Sequence, residues 1–373
     1  MDLSLDHIEY SKTKMTILFI SGHPAQIHNF RIVKQLLEKK GHKVFWVSSK
    51  KDISFQLLKL YGIDFTEIIK PKKNLISKAK ALLINSSTIY RLVRKNKIDL
   101  IVSRVSPFGA IAGFLSGTPH IALADTESSG IYDSIFSKFV QVLITSVSYG
   151  RKLRNDQIRI ESNIELFYLH PEHYNIPVKP LEILGIEKNK SYALLRFVNW
   201  EAYHDKGLSG FSNENKIAVV QKLSKHLKVF ISSEGPLPKE LEPFRIAISF
   251  DDMHDVIAKS KLFFGEGASM AAEAAVLGVP AIFLNDNWSG NAIDLTKHEL
   301  MYCFKSSPED QNNAILKAIE VVSEKEESYY QEKRKIYLKK KLDASTFLCW
   351  FIENYPKSKE IVLDEPSNLA ELR

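Results

Sequence analysis

The chain has 373 residues, too many for one ordinary core and suited to two domains of about 150 to 200 residues each. Its composition, 45% hydrophobic and 25% charged, is that of a globular protein, and no apolar run reaches the roughly 18 uncharged residues of a membrane span. The net charge of +7 is unevenly placed: residues 1–180 carry 26 Lys+Arg against 15 Asp+Glu, and residues 181–373 carry 25 against 29. A basic first half predicts an anionic partner such as nucleic acid, a membrane surface or a phosphorylated substrate; a solvated lysine-rich face is the alternative. The polar opening MDLSLDHIEYSKTK lacks the apolar core of a secretion signal, so a cytoplasmic chain is expected. Cys303 and Cys349 are the only cysteines, which fits a reducing compartment and excludes a Cys-based zinc cluster.

In chain order, MTILFIS (15–21) reads as a buried strand and Gly22 to Ala25 as a turn. Ile27 to Lys40 reads as a helix with Phe30, Val33, Leu36 and Leu37 on one face, closed by Gly41. KVFWVSS (43–49) is the next strand, and Ile98–Ser103 and Pro119–Ala124 flank a small-residue helix at Phe108–Gly117. This alternation predicts a parallel, doubly wound sheet over residues 1–170. Residues 171–190, with Pro171, Pro177 and Pro180, read as a linker. A second α/β set spans 191–342, with strands at 192–198, 228–233, 247–250, 262–265 and 280–284. Glu324 to Lys341 reads as a charged helix. DASTFLCWFIENYP (343–356), too apolar to lie in water, is expected to pack on the first domain, and the tail from Lys357 to be loose.

Two doubly wound domains facing a cleft place ligands at the carboxyl ends of their strands. The turn Gly265-Glu266-Gly267-Ala268-Ser269 follows one such strand and opens a helix. The first amides of a helix have no intrahelical partner, and its dipole favours an anion there. Glu273 lies four residues beyond Ser269, one turn on, where a carboxylate can accept from the two vicinal hydroxyls of a ribose. A carboxylate that merely complements the helix end is the alternative.

The stretch FDDMHDVIAKSKLFFGEGASMAAEAAVLGVPAIFL (250–284) resembles the donor-binding segment of GT-B glycosyltransferases, in particular the UDP-GlcNAc-using enzyme that glycosylates a lipid-linked peptidoglycan precursor. The shared order is an Asp-Asp-Met stretch, a strand, a Gly-rich turn, a Glu-bearing helix, a Gly-x-Pro break and a strand. The segment is also similar to UDP-GlcNAc 2-epimerases, although their Gly-Thr-Arg-Pro-Glu and His-Val-Glu-Ala-Gly phrases are absent. Elsewhere GHPAQIH, YALLRFVNWEAYHD, ISSEGPLP and FIENYP resemble a bacterial and archaeal family of unknown function with GT-B-like structure.

The resemblance implies that Gly267, Ala268, Ser269 and Met270 face a diphosphate, that Glu273 holds a ribose, and that the backbone near Phe250 borders the base. It also places Asn285, Asp286, Asn287 and Asn291 where sugar contacts fall, within NDNWSGNA rather than the usual Gln-rich loop; Trp288 there either stacks on a sugar or packs between domains. Arg196, ending its strand ahead of Asn199, suits a diphosphate or else an interdomain ion pair. Ser232 and Ser233 either contact the nucleotide or form an ordinary turn.

In the first domain the resemblance puts His23 at the reacting centre, as general base for an acceptor hydroxyl or as a hydrogen-bonded turn residue. Arg104, Asp125 and Glu127 also follow strands, and the two carboxylates rival His23 as base. His28 lacks further ligands at metal-site spacing, and no Asp-x-Asp triplet occurs, so neither metal nor cofactor is expected. The expected activity is metal-independent transfer of a sugar from a nucleoside diphosphate to a glycan or lipid-linked acceptor, beside an anionic membrane surface. A UDP-sugar epimerase or hydrolase, or a non-catalytic partner, is the alternative. No nucleic-acid-binding phrase is visible.

Overall fold

The computed structural model describes residues 13–49, 52–71, 74–125, 127, 130–176, 184–186, 190–198, 210–233 and 235–364. They form two compact units: residues 1–173 with 341–373, and residues 174–340.

The first unit is built on a seven-stranded parallel sheet in the order β3-β2-β1-β4-β5-β6-β7. Its strands are β1 (Thr16–Ser21), β2 (Lys43–Ser49), β3 (Thr66–Ile68), β4 (Leu100–Ser103), β5 (His120–Ala124), β6 (Val142–Ser146) and β7 (Ile158–Ile160). The strands read as near-continuous apolar runs because helices cover both faces of such a sheet. Ile17, Leu18 and Phe19 are fully buried in succession. Phe19 stacks on Trp46 and meets Phe30 at ring separations of 5.5 and 5.2 Å, and the Trp46 indole donates to Ser21 Oγ at 2.9 Å. Each such ring contributes about 1.5–3 kcal/mol by leaving water.

The helix Pro24–Lys39 buries Ile27, Phe30, Val33 and Leu37, and the helix Ala344–Glu353 packs against it. Asp343 caps the latter helix, accepting from Ser345 and Thr346 amides at 3.0 and 3.2 Å, and pairs with His173 at 2.7 Å. Buried Glu353 reaches Lys40 at 2.5 Å and His42 at 3.2 Å. Thus the apolar segment 343–356 belongs to the first unit, as its composition predicts. The tail differs from expectation. Lys357–Asp364 is a helix whose Ser358 and Val362 are buried, and Lys359 pairs with Asp156 at 3.2 Å.

The second unit carries a five-stranded parallel sheet in the order β12-β11-β10-β8-β9, with β8 (Tyr192–Phe197), β9 (Lys228–Ser233), β10 (Leu262–Gly265), β11 (Ala281–Leu284) and β12 (Met301–Phe304). The strand expected at 247–250 is absent. A single bridge at Arg245 and one bond from Ile246 N to Ile231 O touch the sheet edge, after which Ala247, Ser249 and Phe250 are exposed. The charged segment near its end is two helices, Pro308–Glu324 and Glu327–Leu338, not one beginning at Glu324.

Both sheets reverse direction at their middle. The chain runs β1 to β2 to β3 and then returns to lay β4 beside β1; it runs β8 to β9 and then lays β10 on the other side of β8. Such reversals splay the loops at the strands' carboxyl ends and open a crevice for ligands. His23 and Arg104 follow β1 and β4, whereas Arg196 and the Gly265–Gly267 turn end β8 and follow β10.

Candidate functional site

In the second unit, β10 ends at Gly265, which pairs in register with Arg196, and Arg196 pairs with Ser232. A Cβ on Gly265 would stand 2.9 Å from two Phe263 ring atoms and 3.1 Å from Arg196 O, so only glycine fits this crossing. Gly267 then caps the helix Ala268–Val276 with no side chain over its end. The first intrahelical bond runs from Ala271 N to Gly267 O, so the amides of Ala268, Ser269 and Met270 precede the ladder. Ala268 and Ser269 are exposed, whereas the rest of the helix from Ala271 onward is buried. The result is an accessible row of N–H donors at the positive helix end.

Arg196, whose backbone is in register with Gly265, donates from Nη1 to Ser232 Oγ on β9 at 2.6 Å. Ser233 Oγ turns to Gly235 O at 3.1 Å, a local turn contact. Glu273 is buried one turn into the helix, with Oε1 3.3 Å from His254 Nε2. Phe250 is 38% exposed at the end of the surface segment. Asn285 donates to Glu266 O at 3.2 Å and accepts from Asn287 N at 2.9 Å, while Asp286 accepts from Ser306 N at 2.9 Å. These bonds shape the loop after β11, which leads through Ser289, the N-cap, to half-buried Asn291 in the helix Gly290–Lys297. Asn199 lies outside the described residues, as do Trp200, Glu201, His204 and Asp205.

Sequence reasoning missed Glu266. This buried carboxylate accepts from Val198 N at 3.0 Å and Phe211 N at 2.5 Å, tying the end of β8 to the start of the next described segment. A glutamate between two glycines at a strand end was the available signal. His254 was also missed; it sits within the quoted Asp-Asp-Met-His-Asp stretch, but no local pattern reveals its partner.

In the first unit His23 is exposed at the N-cap of the helix Pro24–Lys39. Its Nδ1 accepts from Ala25 N at 3.3 Å, which in the neutral ring leaves the proton on Nε2. His28 turns instead to Tyr61 OH at 3.3 Å and packs on the Tyr168 ring. Arg104 pairs with Asp125. Burial pulls the Arg104 guanidinium down to about 10, opposed by the neighbouring Glu165, Asp133 and Tyr168, so it stays charged at neutral pH. Val105 follows at φ 23°, an unusual conformation for a β-branched residue. The turn is held from below: Ser103 Oγ accepts from Ser106 N at 3.0 Å and meets His120 Nε2 at 2.8 Å. Glu127 Oε1 accepts from Gly150 N at 3.0 Å. The structure therefore groups Arg104 with Asp125 and gives Glu127 a separate loop contact. Among the described residues, no group of three or more His, Cys, Asp or Glu side chains is placed to hold a metal ion.

Two switch-point sheets, the second with a helix start that no side chain caps, define the GT-B fold, as the sequence led us to expect. No known family's sequence profile matches the chain. The UDP-N-acetylglucosamine–N-acetylmuramyl-(pentapeptide) pyrophosphoryl-undecaprenol N-acetylglucosamine transferase of Blochmanniella floridana is 23% identical over 304 residues, 74% of this chain and 79% of that protein. The UDP-GlcNAc 2-epimerase of Neisseria meningitidis, solved with UDP-GlcNAc, superposes with a TM-score of 0.63 at 13% identity, covering 95% of this chain and 100% of its own. Acinetobacter baumannii MurG superposes with a TM-score of 0.59 at 15% identity, covering 91% and 99%. The resemblance read from residues 250–284 thus extends to the whole fold.

Proposed function

We propose that this protein transfers a sugar from a nucleoside diphosphate, UDP foremost, to a hydroxyl acceptor. The observation that carries the reading is the Gly267-capped helix start, with Arg196 in register with Gly265 on the neighbouring strand and buried Glu273 one turn on. Transfer leaves a diphosphate whose growing charge needs fixed donors. The amides of Ala268, Ser269 and Met270 and the Arg196 guanidinium supply them, Glu273 takes the ribose hydroxyls, and the loop from Asn285 to Asn291 borders the sugar. The backbone near Phe250 borders the base. The distant relationship to a transferase named for a UDP-linked donor supports the choice of UDP.

In the first unit, His23 takes the acceptor proton. To do so it must give up its cap on Ala25 N, since that bond occupies the ring nitrogen able to act as base. Asp125 and Glu127, held by Arg104 and the Gly150 amide, frame the acceptor side. The decisive experiment follows UDP release from UDP-GlcNAc with and without a lipid-linked hydroxyl acceptor. Acceptor-dependent release supports transfer. A second reading, epimerisation, is favoured by the neisserial enzyme's higher TM-score, and a rearranged sugar nucleotide without acceptor would establish it.

The acceptor is lipid-linked and the protein docks peripherally on an anionic membrane. The helix Leu75–Asn96 supports this: Leu75, Ile76 and Leu83 are 81%, 83% and 73% exposed, and the helix holds Lys78, Lys80, Arg91, Arg94 and Lys95 with no acidic residue. Such a surface combines apolar insertion with about 1 kcal/mol of attraction per basic residue near anionic lipid. No described helix is long and apolar enough to cross a membrane. In vesicle sedimentation, binding to phosphatidylglycerol-rich vesicles is expected to fall at least about tenfold in Ile76→Glu/Leu83→Glu and with rising salt. Equal binding by wild type and variant would remove this helix from the proposal.

A further inference from the structure

His254 is a buried titratable group that the proposed reaction leaves without a task. It sits on the short helix Met253–Ala258, which precedes β10, and its Nε2 lies 3.3 Å from Glu273 Oε1 on the helix that follows β10. A carboxylate only accepts, so a hydrogen bond across this contact needs the proton on Nε2. The imidazole is itself packed: the Tyr174 ring meets it edge-on at 6.4 Å, and Tyr174 OH is anchored on Asp255 Oδ1 at 2.6 Å. Within its own helix the immediate neighbours of Glu273 are the alanines Ala271, Ala272, Ala274 and Ala275, with Ser269 one turn back. His254 approaches the carboxylate from outside the helix.

We propose that His254 is the positioning residue that fixes the Glu273 carboxylate for two vicinal hydroxyls, and so makes this site select ribonucleotides over 2′-deoxyribonucleotides. The proposal rests on the donor-site reading and specifies its substrate class. A glutamate has three side-chain torsions, and accepting from two adjacent hydroxyls at once demands one orientation of its carboxylate plane. Held at Oε1 by a ring that Tyr174 buttresses, Glu273 presents that orientation before the nucleotide arrives. Loss of the His254 N–H is expected to loosen that orientation and to reduce the gain from the second hydroxyl.

Calorimetric titration of UDP and 2′-deoxy-UDP into wild type, Glu273→Gln, His254→Phe and His254→Gln tests this. Wild type is expected to prefer UDP by about tenfold or more, the worth of a hydrogen bond to a charged acceptor. His254→Phe keeps the ring volume and is expected to cut the preference to under about threefold, with 2′-deoxy-UDP affinity changed less than about twofold. Glutamine carries an N–H near the Nε2 position, so His254→Gln is expected to retain most of the preference. A merely structural histidine would lower both affinities together and leave their ratio alone; that outcome overturns the proposal. It also fails if Glu273→Gln abolishes the preference while His254→Phe keeps it, because the ribose reading then stands without His254. If UDP does not bind wild type, or Glu273→Gln leaves the preference intact, the donor-site reading fails and this inference fails with it.

Discussion

Glu273→Gln is expected to weaken nucleoside diphosphate binding ten- to a hundredfold. A hydrogen bond to a charged group is worth about 1.5–3 kcal/mol, and each 1.4 kcal/mol is about a factor of ten. The glutamine keeps the volume of a buried side chain, so the loss is not a packing defect. It removes the acceptor charge and turns one oxygen into an N–H, set either against His254 or against the proposed ribose hydroxyls. The measurement is calorimetry across UDP, GDP, CDP, dTDP and ADP, with thermal unfolding run alongside. A variant that melts like wild type and loses affinity for one base identifies both the ribose contact and the preferred nucleotide. A variant that binds as wild type does removes Glu273 from the donor site, and a non-catalytic role then gains ground.

The second large effect concerns acid. His120 is fully buried on β5, with Nε2 on Ser103 Oγ and, among the described residues, no hydrogen-bond partner for Nδ1. Burial pulls its pKa down to about 3. In the unfolded chain a histidine titrates near 6.5, so below that pH the unfolded state binds a proton that the folded state refuses. His120 therefore leaves stability untouched above about pH 6.5 and removes it progressively as the pH falls toward 3. The loss is on the order of 2 kcal/mol by pH 5 and about twice that at the acid end. Urea midpoints at pH 7 and pH 5 should draw apart in wild type and converge in His120→Gln. An unchanged pH dependence in the variant would mean that other groups carry the acid lability. The same histidine props the Ser103–Ser106 turn that presents Arg104, so acid unfolding should start where the first unit's candidate groups are mounted.

The parts of the fold legible in the sequence were those written locally. Runs such as MTILFIS and PAIFL announce strands buried on both faces, and GEGAS announces a strand end opening a helix. AISF misled because four apolar or small residues suit an edge strand equally well as a surface segment; what decides is whether neighbouring amides pair, and beyond Ile246 they do not. The tail from Lys357 looked polar, yet Ser358 and Val362 are buried, Ser358 Oγ donates to Phe351 O, and Lys359 reaches Gln141 and Asp156 far away in the chain. The site divides the same way. Gly267 to Glu273 is one contiguous motif and was readable. The Glu266 latch onto Val198 and Phe211, and the His254 contact, join segments whose proximity only the folded sheet creates.

Residues 341–353 complete the first unit after an excursion of 167 residues through the second. Lys341 and Leu342 are stitched to Glu161, Ser345 to Phe167, and Glu353 to Lys40 and His42. A ribosome must therefore build the whole second unit before the first unit can close. Until then the helix Pro24–Lys39 lacks the neighbour that packs against it, and the nascent first unit is a natural client for chaperones. The second unit, contiguous in the chain, has no such wait, so the order of synthesis makes it the first to mature.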